Sequence, residues 1–276
     1  MTGPNGPWDA SGAATDGDPL VPQSFSEWTA KIVDAFGRSW RPVILLQLLL
    51  SIPLLILEVL VTDAAGEDAI ARYTSASGSG AAVKDLPAAV GFGFAYLAVA
   101  LVLGAVVQLA SFWIVVKQGA GAAASIRSAV RFGFSRAAPL IGWEIVVAVL
   151  IVVGLFLLIV PGVALAVILV PTVLGVVSVE RAGVGRCFQL ARGRWLALFG
   201  RCCAMLIVAL AYNQIIAAIL AGVFGSSAAI GAQIVSTILS LPLSVVIVNF
   251  MVVTYAETRN AQARCRASEL SAALDA

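Results

Sequence analysis

The sequence predicts an all-α, polytopic membrane protein with six transmembrane helices, and three observations carry this prediction. Hydrophobic residues make up 61% of the chain and charged residues only 12%, against about 25% charged residues in a soluble domain. Residues 145–179 contain no charged side chain, and as one straight helix they would extend about 52 Å, well beyond a hydrocarbon core of about 30 Å. The pair Pro161-Gly162 interrupts this run and is typical of a turn, so we expect a transmembrane hairpin.

Sorting the chain by its uncharged runs divides it into six spans. A second long run without formal charge, 202–256, has its turn-like break at 225–231. Backbone groups in lipid must find partners within their own segment, so helices are expected, and the alternating pattern of a membrane barrel is absent. The predicted spans are 43–61, 88–116, 140–160, 163–179, 202–224 and 234–256.

The positions of lysine and arginine predict the orientation. Of the 17 basic residues, all except Arg72 and Lys84 fall in segments that this topology places on one side of the membrane. Because cytoplasmic loops carry the excess of Lys and Arg, we expect both termini in the cytoplasm and the protein in the plasma membrane. Residues 1–23 lack an apolar core and are expected to be a disordered cytoplasmic tail. The six-span domain is then 24–260, and 261–276 is a second cytoplasmic tail.

Three segments on the inner side predict short amphipathic helices that lie in the membrane interface. In 24–38, 125–136 and 183–192, apolar residues fall on one helical face and polar or charged residues on the other, as in helices that bind a membrane surface. Ser24 and Glu27 form a capping box at the start of the first segment. Each segment precedes an odd-numbered span, which suggests a threefold repeat of interfacial helix, span, outer turn and span.

Several short motifs resemble those of a known family. LIVPG at 158–162 is followed by Glu180, by RCFQLARGRW at 186–195, by Phe-Gly at 199–200 and by YAETR at 255–259. Together they resemble the glycerophosphoryl diester phosphodiesterase membrane-domain family. In that family the phosphodiesterase is a separate soluble domain whose active site needs histidine, and this chain has no histidine. The resemblance therefore implies the membrane module alone.

The composition excludes several enzyme classes and predicts no cofactor. Without histidine, the Ser-His-Asp and Cys-His mechanisms and His-ligated zinc are excluded. The four cysteines lack C-x-x-C spacing and are expected to stay reduced and without metal. A net charge of +2 is too small to predict nucleic-acid binding. We therefore expect a protein that is not an enzyme.

Polar groups within the spans are the candidate positions for a transport pathway. Ionisable groups in spans are often functional, whereas amides more often bind helix to helix. Glu144 is expected to be neutralised by Arg136 or Arg201, which lie at a similar depth. The candidate intramembrane positions are Glu58, Gln108, Glu144, Asn213 and Gln214.

The basic inner face gives the functional prediction. Six arginines of the predicted interfacial helices are candidate contacts for anionic lipid headgroups or a membrane protein partner: Arg127, Arg131, Arg136, Arg186, Arg192 and Arg194. We expect a non-catalytic protein that organises headgroups or a partner at this face, with a small permease or lipid-translocating protein as the alternative. Glu180 and Glu257, which end two spans, are expected to form local ion pairs with Arg181 and Arg259.

Overall fold

A computed structural model gives the structure of residues 17–65, 82–224 and 230–275. Side chains are described for 17–56, 94–224 and 231–275, apart from Gln233. All regular elements in these ranges are helical. In chain order they are α1 Phe25–Ala65, α2 Ala82–Gly119, α3 Ile126–Leu157, α4 Ile159–Gly175, a π-helical turn Val176–Glu180, α5 Val184–Ala191, α6 Trp195–Phe224, α7 Ile230–Asn260 and α8 Ala267–Asp275.

Six helices of the described chain are long and apolar enough to cross a membrane, and they correspond one to one to the six predicted spans. The all-α fold and the multi-pass membrane class are therefore confirmed. The helices are longer than a bilayer requires. α1 has 41 residues and extends about 62 Å, so its ends project beyond a hydrocarbon core of about 30 Å.

The amphipathic segments predicted at 24–38 and 125–136 are not separate helices. They form the first turns of α1 and α3, which continue through Pro42 and Pro139. A proline inside a helix removes one backbone hydrogen bond, yet both helices continue beyond these positions. Only the third segment forms a helix of its own, α5.

Part of each apolar stripe of these segments packs against the protein. In α1, Trp28 and Ile32 are buried, and Trp28 packs edge-on against Phe250 of α7 with ring centroids 5.9 Å apart. Its indole nitrogen also donates a hydrogen bond to Thr254 Oγ1 at 3.1 Å. In α5, Leu190 is buried in the same manner. Other apolar residues of the same segments stay exposed: Phe25, Phe134 and Phe188. An apolar stripe looks the same whether it covers lipid or another helix, so the interfacial position of these segments stays a prediction.

The turn between α3 and α4 lies at Leu158, before the turn expected at Pro161-Gly162. The helix ends at Leu158, which has an extended backbone with φ −163° and ψ 137°, and Pro161 and Gly162 lie in the first turn of α4. Proline is tolerated there because the first N–H groups of a helix have no intrahelical partner. A Cβ on Gly154 would lie 2.9 Å from the Gly162 Cα, so the two helices diverge from a glycine–glycine contact.

Both terminal segments pack on the bundle, in contrast to the tails expected at 1–23 and 261–276. Residues 1–16 lie outside the described structure, but Leu20 and Val21 are fully buried. Leu20 occupies the space that a side chain at Gly119 would fill. At the other terminus, α8 buries Leu270 and Leu274. Short apolar pairs such as these are too brief to stand out in a hydropathy pattern.

Helices α2 and α4 are the most buried spans and α6 is the most exposed. The core between the spans is made of large apolar residues that are fully buried: Leu46, Leu109, Phe112, Ile114, Leu140, Leu169, Leu174 and Tyr255. Helices α1, α3 and α6 begin at one end of this bundle, where α2, α4 and α7 end. We call it the basic end, because the described arginines gather there.

Candidate functional site at the basic end

Two carboxylates at the basic end each lie against two arginines. Glu257, on the last turns of α7, is only 6% exposed. It forms an ion pair with Arg201 of α6, and Arg194 Nη1 lies 3.6 Å from the same carboxylate oxygen. The Arg201 guanidinium also lies over the ring of Trp28, 5.8 Å from its centroid. Helices α1, α6 and α7 are therefore joined through one buried charge pair.

Glu180, at the end of the π-helical turn, is the centre of a second group. Its Oε1 accepts a hydrogen bond from the Tyr255 hydroxyl at 3.0 Å and lies 3.8 Å from Arg259 Nε. Its Oε2 pairs with Arg186 of α5. This carboxylate thus ties α5 and α7 to the end of α4.

The predicted local pairs of Glu180 with Arg181 and of Glu257 with Arg259 are wrong. Residues two apart on an α-helix point to different sides, so Arg259 faces Glu180 while Glu257 faces α6. Arg181 follows the π-helical turn in the left-handed region, with φ 51°, and its side chain is exposed. The acids keep arginine partners, but they find them on other helices.

The ion pairs leave some hydrogen-bonding capacity unused. Among the described residues, Arg201 Nε, Glu257 Oε2 and Arg259 Nη1 are buried without a hydrogen-bond partner. Buried polar atoms without a partner are uncommon in native proteins. The buried pair is therefore costly in solvation, and its loss on one side would leave an uncompensated charge.

The π-helical turn shapes the other side of the basic end. Such turns are rare and frequently lie at functional sites. The Ser178 carbonyl in this turn accepts a hydrogen bond from Arg136 Nη1 of α3 at 2.7 Å. The Arg136 guanidinium also lies over the Phe132 ring, 5.1 Å from its centroid. Arg136 is thereby fixed against the end of α4 without a carboxylate.

The six candidate arginines fall into two groups. Arg186 and Arg194 contact Glu180 and Glu257, and Arg136 is fixed by a backbone carbonyl. The other three are exposed, and no hydrogen bond or ion pair within the described structure involves their side chains: Arg127, Arg131 and Arg192. The structure thus separates arginines that serve internal packing from arginines that face outward.

The polar positions inside the spans do not form one pathway through the described part of the bundle. Gln108 of α2 is a polar neighbour of Glu144 of α3. Asn213 donates to the carbonyl of Ala209 on its own helix at 2.8 Å, and Gln214 is exposed beside it on α6. The Glu58 side chain lies outside the described residues.

Glu144 is not neutralised in the expected way. Arg136 bonds to the Ser178 carbonyl and Arg201 to Glu257, so the two basic residues named for this role have other partners. The described neighbour of Glu144 is an amide. Its carboxyl group therefore differs in kind from Glu180 and Glu257, which both face guanidinium groups.

Hydrogen bonds between α1 and α7 explain other polar residues of the spans. The Ser244 hydroxyl bonds to Gln47 Oε1 at 2.6 Å, and Asn249 Nδ2 donates to Ser39 Oγ at 3.2 Å. Interhelical bonds of this kind stabilise membrane proteins by about 0.6–2 kcal/mol each. These groups fasten two helices together.

The four cysteines are free thiols in the structure. Burial is the largest cause that raises the pKa of Cys187, and it raises the pKa of Cys265 to about 11. Both thiols lie near Glu180 and are protonated at neutral pH. A raised pKa opposes thiolate chemistry, so these cysteines are packing residues of the basic end.

Sequence reasoning missed some of the residues that build the site. Tyr255 was quoted only as part of a motif, yet it is fully buried and donates to Glu180. Trp28 was assigned to a lipid-facing stripe but contacts Arg201. An aromatic residue with a polar tip, placed near the end of a span beside charged residues, is the signal that could have found both. No known family, curated protein or solved structure matched the chain.

Proposed function

We propose that this integral membrane protein is not an enzyme and that it binds anionic lipid headgroups through its basic end. The observation that carries the proposal is the contrast among its arginines. The buried carboxylates Glu180 and Glu257 are occupied by internal arginines, whereas Arg127, Arg131 and Arg192 are exposed without an acid. The outward surface therefore keeps unneutralised guanidinium groups, which bind phosphate well.

The proposal places the basic end, with both termini, on the cytoplasmic side of the plasma membrane. Lysine and arginine concentrate on cytoplasmic loops, and the inner leaflet carries the negative surface potential that attracts them. In a variant without its native cysteines, Ser128→Cys should react with an impermeant maleimide only after lysis. Ser79→Cys should react in intact cells, and the opposite pattern would reverse the orientation.

The chain is also proposed to be a membrane module of the phosphodiesterase-associated family that its motifs resemble. Support comes from the contacts of the motif residues. Tyr255 is 75 residues from Glu180 in sequence, yet it meets Glu180 and Arg186 in one group. Motifs that share a contact network are more informative than motifs scattered over a surface, because their residues depend on one another.

Lipid co-purification tests the headgroup proposal. Each basic group near an anionic surface contributes about 1 kcal/mol of attraction, so Arg127→Gln, Arg131→Gln and Arg192→Gln together should lower retention of phosphatidylglycerol by up to about 100-fold. The matched Lys triple variant keeps the charge and removes the two-pronged donor geometry. Retention that does not change in the Gln triple variant would overturn the proposal.

A small permease or lipid-translocating protein is the second candidate, and the contact between Gln108 and Glu144 favours it. A carboxyl group in a span without a cation partner is costly and often functional. In proteoliposomes, Glu144→Gln should then slow the exchange of a fluorescent lipid between leaflets. Asn213→Leu, on the exposed side of α6, is the control. Equal exchange in both variants and in the wild type would argue against this pathway.

A further inference from the structure

We infer that Arg136 and Arg181 form a binding site for one phosphate group, and that this group belongs to an anionic phospholipid. The site lies where the start of α3 meets the end of the π-helical turn. It rests on the proposed headgroup function and makes that function local. The ligand is the phosphate anion of a lipid headgroup at the border of the hydrocarbon core.

The first argument is the meeting of two like charges. Arg136 Nη1 lies 2.7 Å from the carbonyl oxygen of Ser178, which precedes Arg181 by three residues. The two arginines therefore meet at the end of the π-helical turn, where their like charges repel each other. Among the described residues, no carboxylate forms an ion pair with Arg136, whose hydrogen-bond partner is the Ser178 carbonyl. Like charges held together are unfavourable unless an anion lies with them. The described structure therefore gives this pair no counter-ion, and an external anion would supply one.

The nearest acid in sequence is already occupied. Glu180 precedes Arg181 directly, but its Oε1 accepts from Tyr255 and faces Arg259. Its Oε2 is paired with Arg186. Both oxygens are thus used on the far side of the turn, and Arg181 stays exposed.

The second argument is that Arg136 is fixed in position. One terminal nitrogen donates to the Ser178 carbonyl at 2.7 Å, and the guanidinium lies over the Phe132 ring. The described structure shows no hydrogen bond from its other two nitrogens. A guanidinium binds phosphate through two parallel N–H groups. Arg136 therefore has a fixed plane and a free pair of donors.

The third argument is the backbone of Arg181. It is the one described residue other than glycine with a positive φ, 51°. A bulky side chain in the left-handed region is strained, and such residues tend to occur at binding sites. Glycine would adopt this conformation without strain. An arginine at this position is explained if its guanidinium is needed there.

The depth of the pair fits a phospholipid. The predicted span in α3 begins at residue 140, four residues after Arg136, and the uncharged run of α4 ends at Val179, two residues before Arg181. Both arginines therefore lie at one border of the apolar zone. Phe134, beside Arg136, is 54% exposed and faces outward at the same level. A phosphate with acyl chains attached would meet guanidinium groups above and apolar surface below.

The test measures thermal stabilisation of purified protein in detergent as dioleoyl phosphatidylglycerol is added. Wild type should be stabilised in a saturable manner, and Arg181→Gly should weaken the apparent affinity by about tenfold or more. The matched control is Arg264→Gly, which removes an exposed arginine from a loop at the same end. It should shift the affinity less than about twofold, as expected of a distant, screened charge.

The outcomes separate the site from the broader function. Stabilisation of wild type with equal losses in Arg181→Gly and Arg264→Gly would overturn the site and leave diffuse headgroup binding. No stabilisation of wild type by phosphatidylglycerol would overturn both. Stabilisation by inorganic phosphate but not by the lipid, with the same dependence on Arg181, would overturn the lipid as the ligand.

A loss of lipid binding in Arg181→Gly can be separated from a loss of folding. Arg181→Gly places a glycine at a positive φ, which glycine adopts without strain. The lipid-free variant should therefore unfold at the same temperature as wild type or higher. Arg136→Lys is the second variant, since it keeps the positive charge but removes the fork. It should lose most of the saturable effect of the lipid, and full retention by both variants would contradict the site.

Discussion

At the basic end, the side formed by α5, α6 and α7 and the side formed by α3 and the π-helical turn hold their arginines differently. On the first side, Arg201 and Arg186 face the carboxylates of Glu257 and Glu180. On the second side, Arg136 is held by a carbonyl, with Arg181 as its charged neighbour. Arginines with an acid fasten helices together, whereas arginines without one remain available to an external anion.

The largest effect is expected from breaking the buried pair on the first side. Glu257→Gln leaves Arg201, which is 7% exposed, without its counter-charge, and such a change costs about 3–5 kcal/mol. The measurement is denaturant unfolding in detergent. The double variant Glu257→Leu with Arg201→Met should recover most of the loss, because no buried charge remains. A double variant as unstable as the single one would show that the charge is not the cause.

The two arginines of the α5 region give a matched comparison of intermediate size. Arg186 contacts Glu180 and Arg192 is exposed. Arg186→Gln should lower the free energy of unfolding by about 1–2 kcal/mol, because Glu180 loses a charge-assisted partner. Arg192→Gln should change it by less than about 0.5 kcal/mol. Equal effects would remove the distinction between paired and unpaired arginines.

The hydroxyl of Tyr255 tests how much of the Glu180 group depends on a neutral donor. Tyr255→Phe removes the 3.0 Å bond to Glu180 and keeps the ring that packs on Phe112. The expected loss is about 1 kcal/mol, since Glu180 keeps two arginine partners. Thermal unfolding of Tyr255→Phe and of Arg186→Gln, measured side by side, compares the two losses of stability. A loss larger than that of Arg186→Gln would make the hydroxyl the main support of Glu180.

The smallest effect concerns solvent access on the first side. Burial raises the pKa of Cys265 from its ordinary 9.0 to about 11, so the folded state keeps its proton where the unfolded state loses it. The thiol then stabilises the fold below pH 9, and this contribution is lost as the pH rises towards 11. At pH 8, Cys265 should resist maleimide in native protein, whereas Ser128→Cys on α3 should react at once. Rapid labelling of Cys265 would show that water reaches this side.

The spans were predictable because their signal is local. Runs such as 145–179 and 202–256 contain no charge, and no other environment suits such lengths. Which charges meet was not predictable, because Glu257 finds Arg201 on another helix and Glu180 finds Arg186 beyond a turn. The separation of Glu257 from Arg259 by two positions did argue against a local pair.

The faces of the amphipathic segments mark the limit of pattern reasoning. The stripe of Trp28 and Ile32 was recognised correctly, but its partner is Phe250 and its neighbours on α7. Hydrophobic periodicity identifies the buried face of a helix and does not identify what covers it. The left-handed Arg181 and the π-helical turn before it have no signal in composition, since glycine would be expected there.

The contact between residues 18 and 267 has a consequence for biosynthesis. The Asp18 carboxylate accepts a hydrogen bond from the Ala267 backbone nitrogen at 3.0 Å, and Lys117 pairs with Asp275 at 2.6 Å. The chain is made from its N-terminus, so neither contact can form until all six spans have been synthesised. During translation, the segment around Leu20 can therefore take its final position only after α8 has been synthesised, so the basic end closes after the sixth span.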